Sequence, residues 1–318
     1  MFIENETTMT ENKKWAVLYS PKRNRAGARR HWGRIEKCLL ENGIDFDFVQ
    51  SESSKGVSRL MDMLISNGYK TIVLVGGDSA LNDAVNRLMS VDKKLRDTIS
   101  LGLIPNGMMN DFAHYWGIHE YEIEETVQML KAHRIRKIDL GCLHYVNNKS
   151  EHQQRYFLNC VNIGLISTIM NLRYKTHRLF GSRTLSFLFS LVLMIFQRLD
   201  YKMSIRINSD TIRRRIMTVC IGNASGYGLT PNAVPYNGML DVSVVYHPKM
   251  TQLFEGMYMF VTGKILNHNS VHPYRTRELL VEDATKAPVS IDGIIIKMYS
   301  TPYSMTVEQE VINFIIPS

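Results

Sequence analysis

The chain has 318 residues, 45% of them apolar, and a formal net charge of +8. That length fits two domains, and the apolar content supports full cores. Cysteines 38, 142, 160 and 220 lack CxxC spacing and the histidines show no HExxH pattern, which argues against disulfides and zinc and for buried reduced thiols.

Residues 1–14 are polar, carry mixed charge and lack an apolar h-region. They read as a disordered leader over 1–12 rather than a signal peptide, with Met9 an alternative start. Trp15–Tyr19 is a short apolar strand, followed by a loop whose basic cluster is Lys22, Arg23, Arg25, Arg29 and Arg30. A helix over 29–42 stops at Gly43, a strand spans 45–50, and a helix over 57–67 stops at Gly68. A β-branched strand at 71–75 leads through glycines into a helix over 81–89, and a strand at 101–104 repeats the unit. A helix over 121–132 precedes a strand at 136–140. Strands alternating with helices predict a doubly wound parallel α/β sheet, with ligand at the carboxyl ends of its strands.

After residue 140 the pattern turns to successive strands: 155–161, 202–208, 213–222, 240–246, 278–282, 288–292 and 294–299. Asn208-Ser209-Asp210 and Asp292-Gly293 are turn signals between them, and an antiparallel sandwich is expected. An Asp-Gly turn of this kind carries no functional meaning by itself. The apolar run 185–196, flanked by Arg183 and Arg198, is too short to span a bilayer and reads as a buried or lipid-contacting helix.

Two stretches stand apart. Gly76-Gly77-Asp78-Ser79-Ala80-Leu81-Asn82-Asp83 turns from a buried strand into a helix start, which presents free N–H groups and a positive dipole end. Pro105-Asn106-Gly107-Met108-Met109-Asn110-Asp111-Phe112-Ala113 repeats the design, with Asn110-Asp111 where a helix cap and an acidic first turn belong. Each alone fits a tight βα turn as well as a phosphate site. About 30 residues apart, on adjacent βα loops, they point to one ligand.

These residues resemble the signatures of the diacylglycerol kinase catalytic family, Gly-Gly-Asp-Gly-Thr and Pro-x-Gly-Thr-x-Asn-Asp-Phe-Ala. The resemblance continues through Ile138-Asp139-Leu140-Gly141, Phe157-Leu158-Asn159 with Ile163-Gly164, Ile221-Gly222-Asn223, Pro231-Asn232-Ala233, Asn237-Gly238-Met239-Leu240-Asp241 and Asp292-Gly293. It implies a nucleotide-binding α/β domain over 13–137, to which 303–318 returns, and an all-β sandwich for the lipid substrate over 138–302. It implies ATP-dependent phosphorylation of a lipid hydroxyl, diacylglycerol-like, with Mg2+, at the cytoplasmic membrane face. The second motif sets the chain apart from the related NAD kinase group. By this resemblance nucleotide lies across Gly76, Gly77, Asp78, Ser79, Ala80 and Asn82, and across Gly107, Met108, Asn110 and Asp111. Asp78 assists the metal–phosphate end, and Asp111, Asp139 and Asn237 occupy positions of the family's water–magnesium network.

The chain also departs from the family. Ser79-Ala80 replaces Gly-Thr, Met108-Met109 lacks the second threonine, Ser20-Pro21 replaces Asn-Pro, and Asn237 replaces an acid that resembles a magnesium ligand. Ile294 stands where the Glu of Asp-Gly-Glu is expected to deprotonate the lipid hydroxyl. Isoleucine cannot accept a proton. A positioned base is worth roughly 10²–10⁴-fold, and each lost hydrogen bond to phosphate about 1.5–3 kcal/mol. Groups acting as a unit are not additive, and phosphoryl transfer depends mainly on positioning and electrostatics. Two readings stay open: a lipid kinase with impaired catalysis, and a catalytically degenerate nucleotide- or lipid-binding sensor. The partners expected are a lipid and an anionic membrane surface, which the basic charge suits; no nucleic-acid motif accompanies it. The expected location is cytoplasmic, peripheral at the inner membrane face, with homodimerisation open.

Overall fold

The computed structural model describes residues 14–21, 25–51, 54–107, 110–147, 149–168, 200–225, 229–284, 287–296 and 301–317. The leader 1–12, Lys22, Arg23, Met108 and the apolar run 185–196 lie outside the described residues.

The inner strands of the first sheet are apolar on both faces, which is what a sheet covered by helices on either side demands. β1 (Trp15–Tyr19), β2 (Phe46–Gln50), β3 (Thr71–Gly76) and β4 (Ser100–Pro105) pair in parallel, in the order β2-β1-β3-β4. Around them lie α1 (Arg25–Glu41), α2 (Ser54–Ser66), α3 (Asp78–Met89), α4 (Lys93–Arg96), α5 (Asp111–Tyr115) and α6 (Ile123–Ala132). On one face Ile35 and Leu39 of α1 and Val127 and Leu130 of α6 meet Val17, Val73 and Val75. On the other, Val57 and Met61 of α2 and Leu81 and Val85 of α3 meet Leu18, Ile72 and Leu74. The sheet is doubly wound, as the alternating pattern predicts.

The remaining strands are β5 (Ile135–Val146), β6 (His152–Phe157), β7 (Cys160–Gly164), β8 (Tyr201–Ile207), β9 (Asp210–Ile216), β10 (Thr218–Gly222) and β11 (Leu240–Val245). After α7 (Leu253–Val261) come β12 (Val271–Thr276), β13 (Glu278–Asp283), β14 (Val289–Ile291), β15 (Ile294–Ile296) and β16 (Tyr303–Ile315). Six of them form a second, antiparallel sheet ordered β12-β11-β10-β7-β14-β15. The others extend the first sheet to ten strands. β16 runs parallel to β4 and antiparallel to β5 and β13, so the path continues β4-β16-β13-β8-β9, with β6 on β5. The two sheets face each other across a core that includes Phe157, Ile205, Ile207 and Met305 on one side and Val161, Ile163, Val219 and Val242 on the other. This is the expected sandwich.

Three strands differ from their sequence-based expectation in more than their ends. The strand predicted at 155–161 is two strands, β6 and β7, in different sheets. The N–H groups of Leu158, Asn159 and Cys160 donate to the Asp292 carboxylate instead of a neighbouring strand. The strand predicted at 213–222 likewise divides at Met217 into β9 and β10, where the Met217 N–H donates to Val245. β12 was not expected at all, because Pro273 breaks its apolar pattern. It lies at the end of the second sheet, where a missing N–H is tolerated.

Gly141 of β5 is required by a close approach. A Cβ there would lie 2.0 Å from Cζ of Phe157, whose fully buried ring crosses the strand. Gly141→Ala should cost about 1–3 kcal/mol in urea unfolding. Phe157→Leu removes the obstructing ring, so the double variant should lose less than the sum of the two single losses. Simple additivity would show that the ring is not the obstacle.

Candidate functional site

The carboxyl ends of β1, β3 and β4 form one edge. The Ser20 N–H donates to Val75 O at 2.8 Å and the Asn106 N–H to Gly76 O at 2.8 Å. Gly76 is pressed between neighbours: a Cβ would lie 3.1 Å from that of Ala80 and 3.6 Å from that of Ser20. Gly77 occupies the N-cap position of α3 with extended backbone, so the helix begins at Asp78 rather than at 81 as expected. The first intrahelical bond there runs from the Leu81 N–H to Gly77 O, which leaves the N–H groups of Asp78, Ser79 and Ala80 without intrahelical acceptors. That end of the helix suits an anion.

Asp78 joins the two glycine loops directly. Its carboxylate accepts from the Asp111 N–H at 3.0 Å and the Phe112 N–H at 3.3 Å, so α3 supplies the cap of α5. Asn110 sits at the N-cap position of α5 but makes no capping bond. Its Oδ1 accepts from the Gly107 N–H at 2.8 Å, and its Nδ2 donates to Gly107 O and to Glu120 Oε1. The expectation that Asn110 caps the helix is corrected: Asp78 does so from another element.

One turn along α3, fully buried Asn82 ties the helix to the sandwich. Its Nδ2 donates to Asp292 Oδ2 and to Tyr156 O, both at 2.8 Å, and its Oδ1 accepts from Arg155. Arg155 also pairs with Asp83 at 2.8 Å, and Asn86 exchanges two bonds with the Tyr156 backbone. Asp292, with a positive φ of 44° beside Gly293, makes the hairpin turn between β14 and β15 and is 2% exposed. Ile294 pairs with Ile291 across this hairpin and is half-buried. Beside the turn, buried Asn159 has neither side-chain polar atom paired among the described residues.

Asp139 and Asn237 lie in another network. Asp139 accepts from the Gly238 N–H at 2.6 Å and the Glu310 N–H at 2.9 Å, and its own N–H donates to Pro235. Asn237 is exposed and its Oδ1 accepts from the Met239 N–H, closing its own turn. Among the described residues no three His, Cys, Asp or Glu side chains gather as a metal donor set. Both Asp139 oxygens are engaged by backbone and the Asn237 amide is neutral, so these residues do not fit a magnesium ion. The structure therefore brings Gly76, Gly77, Asp78, Asn82, Gly107, Asn110 and Asp111 together with Asp292, while Asp139 and Asn237 hold the loop that leads into β11. Sequence reasoning missed Arg155, Glu120 and the buried anchoring by Asp292. No spacing signals them: the partners of Arg155 and Asp292 are distant in the chain, and Glu120 itself belongs to no motif.

Residues 14–143 match the diacylglycerol kinase catalytic domain, and residues 160–316 match the YegS C-terminal NAD kinase beta sandwich-like domain. Residues 14–143 thus form a diacylglycerol kinase catalytic domain, as the two glycine loops indicate. YtlR of Bacillus subtilis (strain 168), a protein assigned as a lipid kinase, is 21% identical over 304 residues, which span 92% of this chain and 96% of that one. The diacylglycerol kinase of the same organism is 20% identical, spanning 88% and 89%. In fold the chain is similar to the crystal structure of a diacylglycerol kinase from Bacillus anthracis str. Sterne, with a TM-score of 0.66 at 16% identity over 96% of this chain and 97% of that one.

Burial pushes the Asp78 carboxyl up to about 8; the charges of Asp111 and Asp292 act the same way, and the two backbone N–H donors oppose them. A carboxyl that holds its proton more firmly when folded stabilises fully below its unfolded value near 3.9 and loses that contribution as pH rises towards 8. From about pH 5 to pH 8, wild type should therefore lose at least about 1 kcal/mol relative to Asp78→Asn in urea melts. Parallel pH profiles would mean that Asp78 is ionised throughout.

Proposed function

We propose that the protein phosphorylates the hydroxyl of a diacylglycerol-like lipid from ATP, at the cytoplasmic face of the membrane, with catalysis weakened by Ile294. One observation carries this reading. The Asp78 carboxylate fastens the start of α5 to the start of α3, so both glycine loops address a single ligand at the strand ends. On this reading the nucleotide unit is 13–137 with 303–318, and the lipid unit is 138–302. ATP phosphates lie against the free N–H groups opening α3, with Ser79 and Ala80 offering fewer contacts than Gly-Thr. Asp111 lines the second loop, and the lipid approaches from the Asp292-Gly293 hairpin. No described helix is long and apolar enough to cross a membrane, so the lipid is met at an anionic surface that the net charge of +8 favours.

A second reading, a nucleotide- or lipid-binding protein without turnover, is favoured by the half-buried apolar side chain at 294. The two separate in one assay. Lipid-dependent ATP turnover on total lipid extract is measured for wild type and Ile294→Glu, alongside thermal shift with ATP. The kinase reading expects slow wild-type turnover and a gain of about 10²-fold on restoring a carboxylate. Wild-type rates of about 1 s⁻¹ or more would show that another group serves as base. ATP binding without turnover in either protein would establish the binding role.

A further inference from the structure

The second glycine loop is closed by a side chain. Asn110, 3% exposed, bridges both backbone groups of Gly107: its Oδ1 accepts from the N–H at 2.8 Å and its Nδ2 donates to the C=O at 3.2 Å. A carboxamide can be turned over with little change of shape, and the turned form would set an NH₂ against the Gly107 N–H. Glu120, in the connection between α5 and α6, removes that ambiguity. Its Oε1 accepts the remaining Asn110 proton at 3.1 Å, while its Oε2 lies 3.0 Å from His114 Nε2. An ionised carboxylate only accepts, so a turned amide would meet it oxygen to oxygen. Partial burial works to raise the Glu120 carboxyl, but hydrogen bonds from His114, backbone and Asn110 hold it below the usual carboxylate range.

We propose that Glu120 is a positioning residue of the nucleotide site: it fixes the Asn110 amide, which in turn fixes Gly107 in the second loop. This rests on the reading of that loop as a nucleotide contact. His114, with 44% of its side chain exposed, holds the outer carboxylate oxygen in place.

The test compares Glu120→Ala and Glu120→Gln with wild type in the full chain. Gln keeps an oxygen that accepts from Asn110 and should remain within about threefold of wild type. Ala should raise the KM for ATP about tenfold, the cost of one lost hydrogen bond to a charged group, with kcat little changed. Hydrogen exchange should quicken at residues 104–113 in the Ala variant alone, with the global unfolding midpoint nearly constant. Unchanged exchange there, or faster exchange spread through the molecule, would overturn the proposal. If wild type shows no response to ATP, the nucleotide reading fails, and the exchange experiment still decides whether Glu120 holds the loop.

Discussion

Four donors converge on the carboxylate of Asp292: three consecutive backbone N–H groups, from Leu158 to Cys160, and the side-chain amide of Asn82. Backbone groups spent on one side chain cannot also join a ladder. The chain therefore leaves the ten-stranded sheet after Phe157 and enters the six-stranded sheet at Cys160. Because the fourth donor belongs to α3, the same carboxylate sets the sandwich against the helix that opens at the first glycine loop. Burial raises its proton affinity, the backbone donors lower it, and burial prevails.

α3 acts as a common beam. Asp78 and Asn82 lie one turn apart on one face, the first reaching α5 and the second reaching the hairpin and β6. Asp83 and Asn86 add bonds to Arg155 and Tyr156. Any rotation of the helix about its axis would break contacts to both loops and to the sandwich together. The site's geometry is thus a property of one rigid element, although its residues come from four separate stretches of chain. The cost is two buried carboxyls near a third acid, and burial together with those charges strengthens the hold of Asp78 on its proton.

How far the sequence speaks depends on the range of the interaction. β1 carries the bounds its apolar run indicates, and β3 and β4 differ only by a residue at either end, because burial on both faces leaves a local signature. The glycine loops are legible for the same reason, since Gly76 and Gly77 answer to turn geometry within a few residues. The break at Leu158 and the anchoring by Asp292 are not legible, because their cause lies more than a hundred residues away. Asn110 shows the intermediate case. Its residue type announces a cap, but Asp78, arriving from another βα unit, takes the cap and frees the amide for Gly107.

β16 closes the large sheet by lying beside β4 on one flank and β13 on the other, with β5 along most of its length. During synthesis β4 leaves the ribosome roughly two hundred residues before β16 does, at a rate of about 5–20 residues per second. For some tens of seconds the nascent α/β half thus has an unfilled strand position beside β4, a strand buried along its whole length. Phe314, which comes to rest against Phe112 and Trp116 of the α5 region, arrives with that last strand. The α/β half thus reaches its final packing only when the end of β16 is in hand, which makes the lifetime of the nascent chain, and not only its folded stability, a quantity on which this architecture depends.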